Sequence, residues 1–279
     1  MADPSISDDG LFTPEVGSWS EDKYKLVGLY SRLFATGMKF KWEQRVYIDL
    51  YAGAGIAKLR GTEKRVMGSP LIALTVRDPF DLYIFCEEND VNLKALKQRV
   101  KRIAPERKVE YVPGDCNAKV NRICSLIPVA TPTEKVLSFC FVDPYDIGTK
   151  FSTIKMLSKR FIDFLVLLAL YMDANRNYGN YLRSENRKVD DFLGLADWRD
   201  RWEKEKYSTI KFPEFLAKEY ANQMSGLGYI NQPLYNMKKV RSDEKNLPLY
   251  LLTLFSRHQK AYEFWEEVLK YGTDQQGLF

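Results

Sequence analysis

The sequence predicts an α/β fold built on a central, mostly parallel, doubly wound sheet. Three observations predict it. Short runs rich in β-branched and aromatic residues alternate with helical patterns along most of the chain. The run Phe161–Leu170 is almost continuously apolar, as in a strand covered on both faces. The stretch Val46–Tyr51, read VYIDLY, runs into Ala52-Gly53-Ala54-Gly55, a tight turn with almost no side chain.

The elements follow in order. Residues 1–18 carry Asp, Ser, Pro and Gly without periodicity and read as a disordered tail. Leu26, Val27, Tyr30, Leu33, Phe34 and Met38 recur at helical spacing, so Ser20–Phe40 reads as an amphipathic helix with Ser20 as N-cap. Ile56–Met67, with Lys58, Arg60, Lys64 and Arg65, reads as an exposed basic loop. Gly68-Ser69-Pro70 opens a short helix, with Ser69 as cap. Strands are expected at Leu82–Glu87, Val109–Val112, Lys135–Val142 and Phe161–Leu170, with helices at 90–102, 117–126 and 151–159 between them. Asp173–Lys211 breaks the rhythm and reads as a helical insertion. Phe212–Met224 returns to helix. Tyr229–Val240 and Pro248–Phe255 read as an antiparallel C-terminal hairpin around a charged turn, 241–246, and Ala261–Lys270 closes the chain. This is a Rossmann-like plan of seven strands, expected as a single domain over 19–279.

Composition bounds the function. The chain has 279 residues, 45% hydrophobic, with a net charge of +5. The mild basic excess favours polyanionic partners without requiring them. The longest apolar run is too short for a bilayer, and the N-terminus has no signal-peptide core, so a cytoplasmic protein is expected. Cys86, Cys116, Cys124 and Cys140 show no C-x-x-C pairing and are expected as reduced thiols; with a single histidine, His258, no metal site is expected.

Ligands of such sheets bind at the carboxyl ends of the strands. Acidic residues recur there: Asp49 after the first strand, Glu87 after the second, Asp115 after the third and Asp143 after the fourth. The turn lacks the third glycine of a dinucleotide fingerprint, since Lys58 stands there. An acid followed by G-x-G resembles motif I of class I S-adenosylmethionine (SAM) methyltransferases. SAM presents an ammonium, a sulfonium and a ribose, which carboxylates serve well. Glu87 suits the ribose hydroxyls, Asp115 the adenine amine and Asp49 the methionine ammonium, directly or through water. Tyr51, Gly53 and Gly55 form the cradle, and Cys116 lines it. A nucleotide-binding sheet for another ligand stays open.

Asp143-Pro144-Tyr145 resembles motif IV of amino methyltransferases acting on adenine or cytosine, with one proline where that motif has two. There the acid and the proline carbonyl accept from the target amine, and the aromatic ring stacks on the base. The three are the expected catalytic residues. A wider set is similar to the three-Cys-motif partner family: Trp19, Lys25, Tyr30, Tyr47–Gly53, Gly68-Ser69-Pro70, Glu87, Gly114–Asn117, Phe141–Tyr145, Leu252–His258 and Trp265, with Asp146 where the family has glycine. That resemblance implies a class I methyltransferase fold, SAM as cofactor and a three-Cys, radical-SAM-like protein as partner. The expected activity is methyl transfer to a nucleic-acid base amine, in RNA or DNA. The alternative is a SAM-fold subunit that docks the three-Cys partner without transferring methyl groups.

Overall fold

The computed structural model describes residues 6–242 and 246–273. In chain order they form β1 (Glu15–Val16), α1 (Ser20–Met38), β2 (Gln44–Asp49), β3 (Ile56–Leu59), β4 (Arg65–Met67), α2 (Ser69–Leu74), β5 (Leu82–Glu87), α3 (Asp90–Ile103), β6 (Val109–Pro113), α4 (Cys116–Leu126) and β7 (Val136–Val142). Then come α5 (Phe151–Leu157), β8 (Ile162–Leu168), a wide helical turn (Leu170–Ala174), α6 (Tyr178–Tyr181), α7 (Lys188–Leu193), α8 (Trp198–Glu205), α9 (Phe212–Gly226), β9 (Lys238–Arg241), β10 (Pro248–Phe255) and α10 (Gln259–Thr273). The main sheet has seven strands in the order β6-β5-β2-β7-β8-β10-β9. β2 pairs in parallel with β5 on one side and β7 on the other. β10 runs antiparallel to β8 and to β9, so β10 alone is reversed and β9 runs with β8. The chain divides into two compact units, Met1–Phe141 with Glu263–Phe279, and Val142–Tyr262.

In the first unit, α1 buries Tyr30 and Phe34 over the sheet. Their rings meet Phe139 of β7 at 5.0 and 5.5 Å, and Tyr47 of β2 meets Phe80 at 5.4 Å. Trp265 meets Tyr30 edge-on at 6.0 Å. Such pairs add about 0.5–1.5 kcal/mol each beyond the area they bury. Ser20 does not cap α1. The chain enters through a turn in which Ser20 N donates to Gly17 O, so Trp19 takes the cap position and Ser20 is buried in the first turn. Likewise Gly68 precedes α2, and Ser69 is its first residue.

Two sequence expectations fail in this unit. Ile56–Met67 is not a loop: Ile56 pairs with Met67 and Lys58 with Arg65 in an antiparallel hairpin. Ile56, Ala57 and Leu59 are buried, and Lys58 pairs with Glu63 at 2.7 Å. Residues 6–18 of the expected tail are ordered. Their strand β1 pairs with β3 in parallel, and Arg99 holds Asp9, Phe12 and Thr13. Residues 1–5 lie outside the described residues.

In the second unit the insertion is helical, as expected. Trp198 and Trp202 of α8 pack on Phe212 of α9 at 5.9 and 5.2 Å. Arg199 joins Asp190 to the carbonyls of Tyr181, Leu182 and Arg183. The expected strand from Tyr229 shrinks to Lys238–Arg241. Pro233 cannot donate to a ladder, and a short helical turn follows it at Leu234–Asn236. Residues 243–245 of the expected turn lie outside the described residues.

Candidate functional site

β2 ends at Asp49, which is fully buried. Its carboxylate accepts from Tyr51 N and from the Tyr47 hydroxyl, both at 3.2 Å. Asp49 is thus engaged from within the protein, shaping the turn that follows it. Ala52 N donates to Cys86 O at 2.9 Å, fastening that turn to β5. Gly53 and Gly55 have φ of +64° and +83°, the left-handed region in which a side chain is strained. Their surroundings differ. A Cβ at Gly55 would come within 2.9 Å of Leu96 Cδ1 and 3.1 Å of Leu71 Cγ, whereas one at Gly53 would meet nothing within 4 Å. Gly55 is therefore a packing glycine, and Gly53 borders open space.

Glu87 of β5 holds the backbone of Gly53. Its Oε2 accepts from Gly53 N at 2.6 Å, and its Oε1 from Asn89 N at 2.8 Å and Asn92 Nδ2 at 3.3 Å. Each carboxylate oxygen has two lone-pair directions, so Oε2 keeps accepting capacity. Asn89 caps α3, accepting from Val91 N and Asn92 N. Asn92 then carries a buried Oδ1 with no hydrogen-bond partner among the described residues. An orphaned acceptor beside a carboxylate suits a ligand bearing adjacent hydroxyl donors.

The third strand end is stitched to the first two. Gly114 N donates to Glu87 O at 3.0 Å, and the Cys86 thiol to Gly114 O at 3.2 Å. Asp115 is the cap of α4, accepting from Ala118 N at 2.8 Å and Asn117 Nδ2 at 3.2 Å. The Cys116 thiol reaches the Tyr51 hydroxyl at 3.4 Å. Burial pushes the Cys116 thiol up to about 11 and raises Cys86 and Cys140 as well, so these thiols stay protonated at neutral pH and are not nucleophiles. All seven residues expected around the cofactor (Asp49, Tyr51, Gly53, Gly55, Glu87, Asp115 and Cys116) lie on or beside these three strand ends. Sequence reasoning passed over Asn92 and Arg99. Asn92 has a weak signal, a polar residue three positions after a cap; Arg99 lies among four other cations of α3 and has none.

In the second unit, Asp143-Pro144-Tyr145 follows directly on β7. Asp143 is half-buried, Pro144 is buried, and Tyr145 is 90% exposed. The segment behind them is pinned. Ile147 N donates to Asp173 Oδ2 at 3.0 Å, and the Tyr181 hydroxyl to Asp173 Oδ1 at 2.7 Å. Lys188 of α7 pairs with Asp146 at 2.6 Å. Asp146 is thus an anchor for the insertion. Among the described residues no cluster of three or more His, Cys, Asp or Glu could hold a metal ion, and no helix is long and apolar enough to cross a membrane.

Seven strands with a parallel body and one reversed strand inserted next to the edge define the class. This is the class I methyltransferase fold. No family model and no curated protein sequence matches the chain. Solved structures resemble it distantly. The O-methyltransferase TomG from Streptomyces achromogenes, involved in tomaymycin synthesis and solved in complex with SAM, is 9% identical over 91% of this chain and 92% of its own, with a TM-score of 0.46. A putative O-methyltransferase from Klebsiella pneumoniae is 9% identical over 88% of this chain and 83% of its own, with a TM-score of 0.43. A Legionella pneumophila protein is 17% identical over 62% of this chain and 74% of its own, with a TM-score of 0.42.

Proposed function

We propose that this protein is a SAM-dependent methyltransferase acting on a nucleic-acid base amine. The observation that carries the cofactor half is the Gly53–Glu87 bond beneath open space, with the unpartnered Asn92 Oδ1 beside it. These residues fit a ribose: Glu87 and Asn92 accept its hydroxyls, Gly53 leaves room for it, and Asp115 is placed to accept from the adenine amine. Asp49 works through Tyr47 and Tyr51, holding the turn rather than the ligand. The cofactor supplies an electrophilic methyl group.

Asp143 and Tyr145 support the base-amine half. An exocyclic amine is a poor nucleophile because its lone pair is delocalised into the ring. A carboxylate and a main-chain carbonyl accepting from its two N–H bonds favour a tetrahedral nitrogen with the pair free. The exposed Tyr145 ring offers a stacking surface worth about 1–3 kcal/mol for a base. The alignment acts in the transition state, so Asp143→Ala lowers turnover on the order of 10²-fold while leaving SAM affinity unchanged.

A second reading is a SAM-fold subunit that docks a three-Cys protein. The single proline of the Asp143 motif favours it, as does the exposed Tyr207 at the end of α8. The test is tritiated methyl transfer from SAM to total RNA and DNA, with and without that partner. Labelling lost in Asp143→Ala supports the first reading. Equal labelling by wild type and variant refutes the amine mechanism, and a stable complex without labelling favours the second.

A further inference from the structure

The net charge of this protein has one address. Of its 42 basic and 37 acidic residues, nine basic and four acidic lie between Asp90 and Leu126, leaving equal numbers of each sign in the rest of the chain. That stretch is α3, β6 and α4, with β6 the terminal strand of the sheet. We propose that the exposed cations of α3, β6 and α4 form a docking surface for the phosphate backbone of a nucleic acid.

The architecture separates this surface from ordinary solvated charge. α3 buries Leu93, Leu96, Arg99 and Val100. On its opposite side Lys94, Lys97 and Lys101 recur at helical spacing, all exposed, with Arg102 beside them. α4 adds exposed Lys119 and Arg122, and the approach to β6 adds Lys108. Lys97 stands over the Tyr111 ring of β6 at 5.2 Å, which sets an aromatic face among the cations. Two of the four local acids are otherwise engaged: Asp115 caps α4, and Glu106 pairs with Arg107 at 3.2 Å. None of Lys94, Lys97, Lys101, Lys108, Lys119 or Arg122 forms an ion pair with another described residue. In the other unit several cations are matched: Lys150 with Asp191, Lys188 with Asp146, Arg199 with Asp190 and Lys218 with Glu205. Cations concentrated on one edge without acidic partners repel one another and are relieved by a polyanion. The inference takes only the identity of the polyanion from the base-amine reading.

The experiment measures binding of a labelled single-stranded RNA of about 20 nucleotides, and of a DNA duplex, between about 50 and 200 mM salt. Three proteins are compared: wild type; Lys94→Gln with Lys97→Gln and Lys101→Gln; and a control of equal charge change, Lys159→Gln with Lys204→Gln and Lys211→Gln. The expected result is at least tenfold weaker binding by the α3 variant at low salt. Its log–log salt slope is shallower by about two for the single strand, from three contacts at about 0.7 each. The control stays within about twofold of wild type. Equal losses in both variants, no salt-dependent binding by wild type, or equally tight binding of a polyglutamate of matched charge would overturn the proposal. Calorimetry with SAM on the same samples separates the two claims. Nucleic-acid binding without SAM binding refutes the cofactor reading and leaves this surface standing; SAM binding without nucleic-acid binding does the reverse.

Discussion

Arg99 and Asp9, ninety residues apart, form a two-bonded ion pair, Nε to Oδ2 at 2.8 Å and Nη2 to Oδ1 at 2.9 Å. The same guanidinium donates to Ala54 O at 2.7 Å, inside the glycine turn, and to Phe12 O and Thr13 Oγ1. Arg99 is buried, so its charge depends on these partners. The N-terminal segment is thereby part of the wall behind the candidate cofactor turn.

Asp9→Asn is expected to destabilise the protein by roughly 1.5–3 kcal/mol, the scale of hydrogen bonds to a charged group. The full cost of breaking a deeply buried pair does not apply, because Asp9 keeps 21% of its side chain in solvent. The Arg99 bonds hold the Asp9 carboxyl below its ordinary value. Its contribution is present above the unfolded pKa and is lost as pH falls through the folded value. Urea unfolding of wild type and variant near pH 7 and near pH 3 checks both statements; their stabilities should converge at the acid end.

The two turn glycines give opposite signatures. Gly55→Ala forces a Cβ against Leu96 and Leu71, so the variant should lose stability by about 1–3 kcal/mol. Gly53→Ala meets no neighbour and bears only the left-handed strain, about 1–2 kcal/mol. It should remain folded at room temperature yet bind SAM at least tenfold more weakly, because the new methyl occupies the open space. Thermal melts paired with calorimetry read the two effects apart. A folded Gly53→Ala with wild-type affinity would remove the turn from the site.

Much of this was legible in the sequence, for identifiable reasons. Leu82–Glu87 and Pro248–Phe255 are found with the expected bounds, because uninterrupted apolar strands have few competing readings. The strand-end acids stand out because acids are rare at the ends of buried strands. The hairpin 56–67 was hidden because its cations, of which Lys58, Lys64 and Arg65 pair with Glu63, Glu21 and Asp8, outweighed three buried apolar residues. The order in 6–18 was hidden because it rests on long-range partners, the pairing of β1 with β3 and the Arg99 bonds, and no local pattern encodes such partners. Asp115 illustrates the remaining ambiguity: a helix cap and a ligand acceptor look the same in sequence.

Asp163 of β8 supplies a pH dependence. Burial in the sheet, only partly offset by Ser256 and Arg257, raises its carboxyl from the ordinary 3.8 to about 7. Between those values the folded chain holds a proton that the unfolded chain has released. Stability therefore falls as pH rises through this window, by up to about 1.4 kcal/mol per unit, and the penalty is absent below the unfolded value. Asp163→Asn keeps the shape and cannot ionise. Its gain in stability over wild type should be larger near pH 7.5 than near pH 4.5, as urea midpoints will show. An equal difference at both pH values would mean that Asp163 ionises normally.

The central claim is that the ends of β2, β5 and β6 hold SAM through Glu87. Isothermal calorimetry of SAM against wild type and Glu87→Ala tests it most directly. The account predicts one site on wild type and a loss of roughly 1.5–3 kcal/mol in the variant, about tenfold to a hundredfold in affinity. A folded wild-type protein that binds no SAM, or a Glu87→Ala variant that binds it equally well, would contradict the account.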